Sequence, residues 1–199
     1  GFPQYYAQRL ADMVKVWRDL WGLGEMPFYE VELAPFTYGG DGTTGARIRE
    51  AQHKAVELIP GSGIASINDL AYPYEYDEIH PRRKKEVGER LSYLALNRTY
   101  GMDYLPCEGP RFKSYEVRGG EIEVAFYNGE SGFSPWHDIV GFEIAGEDKV
   151  FHPAEIRRGT RLNTVIVKSG KVPAPVAVRY CFRDFQVGNF TGRRCLPVI

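Results

Sequence analysis

The chain has 199 residues, 43% of them hydrophobic and 26% charged, with a formal net charge of -1. A chain of this size buries roughly 70% of its unfolded surface, enough for a real core. The near-neutral balance argues against a dedicated nucleic-acid binder and gives no electrostatic reason to expect a membrane surface.

Residues 4–21 read as an amphipathic helix, because Tyr6, Leu10, Met13, Val14, Trp17 and Trp21 recur at three- and four-residue spacing. Gly22 and Gly24 stop it. Phe28 to Leu33 reads as a strand that ends before Pro35, and a loop rich in Gly and Thr follows over 37–45. Ile48, Ala51, Ala55, Val56 and Ile59 mark a second helix, closed by Pro60-Gly61. Ile64-Ala65-Ser66-Ile67 is a short, largely apolar strand of the kind buried in parallel sheets. An aromatic, acidic loop over 71–79 leads to Pro81, which suits the first turn of a helix running to about Tyr100. Val87, Leu91, Leu94 and Ala95 form the inner stripe of that helix, and Arg82, Arg83, Lys84 and Lys85 read as its solvated face.

The order helix–strand–helix–strand–helix predicts parallel βα units. Two strands do not make a doubly wound sheet alone. The fold class expected is therefore α/β, with residues 1–104 forming the C-terminal half of a three-layer domain. After Pro106 the pattern changes. Glu121–Tyr127, Leu162–Val167 and Ala177–Tyr180 read as strands punctuated by Gly, Pro and Asn, so residues 105–199 are expected to form a small antiparallel β domain.

No apolar run approaches the ~20 residues of a membrane-crossing helix, and no secretory leader is visible. A chain that starts at Gly1 reads as a processed or truncated product, in which a removed leader leaves no trace. Cys107, Cys181 and Cys195 lack metal-ligand spacing and allow either one disulfide and a thiol or three thiols. Asn97-Arg98-Thr99 and Asn189-Phe190-Thr191 match the glycosylation pattern, a common triplet. Aromatic residues make up 14% of the chain, which suits β-rich cores first and sugar-binding surfaces second.

The chemistry-bearing stretch is Asp77-Glu78-Ile79-His80-Pro81. It follows the carboxyl end of the strand at 64–67, where ligands bind in open α/β sheets. A carboxylate on one imidazole nitrogen fixes the tautomer and leaves the other nitrogen as a base. The same spacing also fits a histidine that caps a helix and bonds a nearby acid.

Several segments resemble the sialate O-acetylesterase branch of the SGNH (GDSL-like) hydrolases. They are Trp17-Arg18-Asp19-Leu20-Trp21, Pro27 to Phe36, Arg49-Glu50-Ala51-Gln52, Ile79-His80-Pro81 with Lys84, Val87-Gly88 and Arg90-Leu91, Gly141 to Asp148, and Val178-Arg179-Tyr180. The resemblance spans nearly the whole chain. It implies a serine esterase that removes acetyl groups from a sialic acid or plant polysaccharide, with His80 as base and Asp77 as its orienting partner. Asp69, Glu75 and Glu78 are the alternative carboxylates. It also implies secretion or a periplasmic or lysosomal location, and no metal or organic cofactor.

The departure from that pattern is large. In the family the nucleophilic serine and the oxyanion donors lie in earlier blocks, and this chain starts after them. Ser62 and Ser66 sit in or beside a strand without a glycine elbow. Gly129-Glu130-Ser131-Gly132 falls after the histidine and reads as a turn. The partner expected is thus an N-terminal polypeptide of the same precursor that carries the serine and oxyanion hole, the two needed for acyl transfer. Gln52 and Trp136 are candidate substrate contacts, and an acetylated carbohydrate is the expected ligand. The rival reading is a non-catalytic carbohydrate-binding or scaffold module built on an esterase half.

Overall fold

The computed structural model describes residues 3–199. The chain is mixed α/β and divides into two compact units, one ending at Cys107 and joined by Arg183–Phe185, the other formed by Glu108–Phe182 and Gln186–Ile199. Among the described residues, no helix is long and apolar enough to cross a membrane.

The first unit opens with α1 (Pro3–Trp21). Its Ala7, Leu10, Ala11 and Met13 pack with buried Val14 against Ala55 and Ile59, which is the apolar stripe read from the sequence. Strand β1 (Phe28–Val31) pairs in parallel with β2 (Ser62–Ala65), and α2 (Thr44–Leu58) makes the crossover between them. All four residues of β2 are buried, but the strand lies two residues before the predicted 64–67, with Ser66 and Ile67 beyond its end. Phe28 packs on the α1–α2 cluster, whereas Val31, of opposite parity along the strand, packs on Val87 of α3 (Lys84–Leu94) with Ala34, Ile67 and Leu70. Helices therefore cover both faces of the strand pair.

Two local features depart from the sequence reading. The third helix begins at Lys84 rather than at Pro81, because the Arg82 N–H is given to the Glu75 carboxylate and the chain turns before it coils. Its α-helical part ends at Leu94, and one π turn over Ala95–Thr99 follows, in which the Tyr100 N–H reaches back to the Ala95 carbonyl. A third feature had no signal at all. Asp184, from the returning segment, accepts the Gly45 N–H at 2.7 Å in the first turn of α2. A carboxylate at a helix N-terminus satisfies an orphan donor and complements the dipole.

The second unit is antiparallel. One sheet has the order β3 (Arg111–Arg118), β4 (Glu121–Tyr127), β8 (Thr164–Lys168), β7 (Glu155–Arg158), and the other β6 (His152–Pro153), β5 (Phe142–Ala145), β9 (Ala177–Tyr180). Ile122, Val124 and Phe126 of β4, Val165 and Val167 of β8, and Phe142 and Ile144 of β5 share one core with Phe133 and Phe190. The strands predicted at 121–127 and 177–180 are present, and the one predicted at 162–167 begins two residues later, at Thr164. Gly129–Gly132 is a turn, closed by the Gly132 N–H on the Gly129 carbonyl.

Candidate functional site

The parallel strands end at Val31 and Ala65, so Glu32, Ser66 and the long connection 66–83 all leave from the carboxyl ends. What the structure places there is first a buried network. Glu32 is 5% exposed, and its Oε1 accepts a hydrogen bond from His53 Nε2 at 3.0 Å. Its Oε2 accepts from Ser66 Oγ at 2.7 Å and from the Ile67 N–H at 3.0 Å. Burial pushes the Glu32 carboxyl up, but the His53 hydrogen bond and charge, Arg49 and Ser66 together hold it below its ordinary value. This carboxylate–histidine–serine cluster was not singled out from sequence, because its members are scattered over two loops and a helix. The only signal was a polar residue inside an otherwise strand-like run at Glu32. In it both Ser66 and His53 bond the carboxylate, so no serine–histidine bond forms.

The predicted pair lies on the loop after β2. Asp77 and His80 are both exposed. Among the described residues no hydrogen bond joins the Asp77 carboxylate to the His80 imidazole, and both lie on one loop. The other carboxylates on this stretch are committed elsewhere. Asp69 makes a two-pronged ion pair with Arg90, at 2.6 and 2.7 Å, and Arg90 also holds the Ser66 carbonyl. Glu75 is 1% exposed and accepts the Tyr72 N–H at 2.8 Å and the Arg82 N–H at 3.2 Å, with Arg82 Nε at 3.6 Å. Glu78 turns back on the His80 N–H at 3.0 Å. Among the described residues the exposed Asp77 carboxylate has no side-chain hydrogen bond or ion pair.

The serines of the first unit are likewise committed. Ser62 Oγ donates to the Val56 and Ile59 carbonyls, and Ser66 Oγ to Glu32. Both are buried.

Gln52 is buried and acts on β1. In the parallel ladder Phe28 and Glu32 turn their N–H groups to β2, so Val31 and Leu33, of opposite parity, turn theirs to the other edge. There the Gln52 amide accepts from the Leu33 N–H at 2.7 Å and donates to the Val31 carbonyl at 3.1 Å, standing in for the peptide of a neighbouring strand. It also donates to Glu30 at 3.1 Å.

Trp136 belongs to the second unit and is 64% exposed, with the Arg158 guanidinium 4.6 Å from its ring. Arg158 donates to the Phe133 and Pro135 carbonyls, each at 2.7 Å, which pins the backbone beside Trp136. Among the described residues no group of His, Cys, Asp and Glu is arranged to hold a metal ion. A groove of about 400 Å³ runs along α1, lined by Gln8, Asp12, Lys15, Arg18 and the Ile59–Pro60 turn, and none of the predicted site residues borders it.

Scanned against protein-family models the chain matches none, and searched against the curated proteins it finds no match. A solved structure does match it. The chain is similar to a carbohydrate acetylesterase from Xanthomonas citri. The two superpose with a TM-score of 0.85 at 37% identity, over 97% of this chain and 44% of that one. The chain thus spans less than half the length of the enzyme it matches. Likeness at this identity and coverage is consistent with an esterase-like relationship, in agreement with the coarse reading of the sequence.

Proposed function

We propose that this chain is part of a carbohydrate O-acetylesterase of the SGNH type and supplies the histidine and aspartate of its triad. The observation that carries the reading is the similarity to a carbohydrate acetylesterase over 97% of the chain, with Asp77 the uncommitted carboxylate three residues before an exposed His80. His80 is the general base and Asp77 fixes its tautomer. The nucleophilic serine and the oxyanion donors come from an N-terminal polypeptide of the same precursor, and the Asp77–His80 hydrogen bond closes in the complete site. Serine attack on the acetyl carbonyl passes the proton to His80, the sugar hydroxyl leaves with that proton, and water releases acetate from the acyl-enzyme. Secretion and the identity of the sugar, sialic acid or a plant polysaccharide, go with the same reading.

The commitment of Ser62 and Ser66 to internal bonds favours a serine from outside the described site. It equally suits the rival reading, a non-catalytic carbohydrate-binding module. Joining the chain to its N-terminal partner and assaying p-nitrophenyl acetate separates the two. Hydrolysis that disappears in His80→Ala supports the esterase; full activity in that variant removes His80 from the mechanism, and no activity with the partner bound favours the module.

A further inference from the structure

The loop that carries Asp77 and His80 also carries three tyrosines in five residues. Tyr72, Tyr74 and Tyr76 are 40%, 59% and 54% exposed. Isolated surface aromatics need no explanation, but a cluster of them on an ordered loop does. Tyr72 and Tyr74 are not randomly turned: their rings are stacked, 5.3 Å between centroids and 5° from parallel. The Arg82 guanidinium lies 5.7 Å from the Tyr74 centroid.

The backbone beneath these rings is fastened at several points. Glu75 is the one buried residue between Tyr72 and His80, and its two oxygens take the N–H groups of Tyr72 and Arg82, at opposite ends of the loop. The Glu75 N–H closes a turn on the Tyr72 carbonyl at 2.9 Å. The Tyr76 carbonyl accepts from both the N–H and the hydroxyl of Thr37, at 3.0 and 2.8 Å. A buried carboxylate spent on loop backbone is a costly way to order a surface segment. The return is that the rings are held in one orientation before any ligand arrives, which lowers the entropy cost of binding.

We infer that Tyr72 and Tyr74, held in place by Glu75, form a binding platform for the pyranose ring of the carbohydrate. The inference rests on the esterase reading only for the choice of a sugar as ligand. The C–H face of a pyranose is apolar and flat on the scale of a phenol ring. The two rings cover each other's inner faces, so the outward face of the stack offers that surface, and the hydroxyls add donors and acceptors for the sugar's hydroxyls. Arg82, whose guanidinium lies over the Tyr74 ring, pairs with a carboxylate if the sugar is acidic. The platform is on the same loop as His80, so the sugar binds where its ester meets the base.

Saturation-transfer NMR on this chain alone, with methyl β-D-xylopyranoside and with the methyl glycoside of N-acetylneuraminic acid, tests this. At least one sugar is expected to bind, and Tyr72→Ala/Tyr74→Ala to bind it about tenfold more weakly with an unchanged melting temperature. Glu75→Gln, which keeps both rings, is expected to weaken binding and to speed amide exchange at Tyr72 and Arg82. Arg82→Gln is expected to weaken only the acidic sugar. Binding of neither probe, or equal binding by the double variant, overturns the platform. Equal binding by Glu75→Gln overturns the role of Glu75. An assembled enzyme that stays active with His80→Ala would defeat the triad assignment and leave the platform standing.

Discussion

The first unit holds two histidine–carboxylate pairs in opposite states. Glu32 and His53 are 21 residues apart, and the carboxylate is buried and hydrogen-bonded on both oxygens. Asp77 and His80 are three residues apart, exposed, and not bonded to each other. The buried pair ties α2 to the carboxyl ends of both strands, since Glu32 also holds Ser66 Oγ and the Ile67 N–H. Both of its oxygens are engaged and it is buried, so it is turned to the protein rather than to solvent. The exposed pair stabilises little and leaves both groups open. The completed hydrogen-bond set of Glu32 marks a structural role, and the open groups of Asp77 and His80 are what the proposed triad would need.

Substitutions should separate the two pairs cleanly. In the complete enzyme His80→Ala is expected to lower turnover of p-nitrophenyl acetate by on the order of 10³-fold, with the denaturation midpoint unchanged. A large loss of stability in that variant would erase the distinction. Glu32→Ala should do the reverse for this chain, costing about 3 kcal/mol in urea unfolding because His53, Ser66 Oγ and the Ile67 N–H lose their shared acceptor. A cost below about 0.5 kcal/mol would remove the structural role.

Acid offers a graded version of the same contrast. The Glu32 carboxyl is held below its ordinary value in the fold, so its contribution is present above that ordinary value and is lost as pH falls through the depressed one. The second unit has a counterpart in Glu123. Burial pushes that carboxyl up, but Thr160 through its hydroxyl and N–H, Thr164 and Arg118 outweigh it and bring it from 4.5 to about 2. Its share, roughly 2–3 kcal/mol, should be present above pH 4.5 and vanish between there and pH 2. Urea midpoints measured across that window should fall for the wild type and change less for Glu123→Gln. Parallel curves would show that the carboxylate does not drive the acid transition. The smallest effect is expected for Asp77→Asn, which should leave stability within about 0.5 kcal/mol of the wild type.

The elements of the first unit were legible in the sequence where local spacing decides them. Val14, Ala55 and Ile59 repeat at helical intervals and are found packed together. The apolar run at Ile64 overlaps a buried parallel strand, and Pro60-Gly61 ends the helix before it. In the second unit β4, β8 and β9 were visible because they are apolar or alternate. The eight-residue β3 was not, because every residue of it is exposed and its sequence mixes aromatic and charged residues without a clean period. The two-residue β6 was too short to show one, and β5 and β7, as long as β9, were not read as strands.

The loop of the candidate site was legible as a cluster of acids, tyrosines and a histidine, and only the fold sorted its members. Asp69 and Glu75 resemble Asp77 on paper. Asp69 is taken by Arg90, 21 residues on, and Glu75 by the two ends of its own loop. Gln52 looked like a residue at a pocket edge and proves to complete the edge of β1. The sequence by itself determined where chain segments coil or extend and which loop carries the candidate site residues, because those follow from neighbours a few residues away. The tertiary structure alone decided which polar groups are spent and which stay open. That choice depends on burial and on partners such as Ser66 for Glu32, 34 residues distant, and Asp184 for Gly45, 139 residues distant, which no local pattern records.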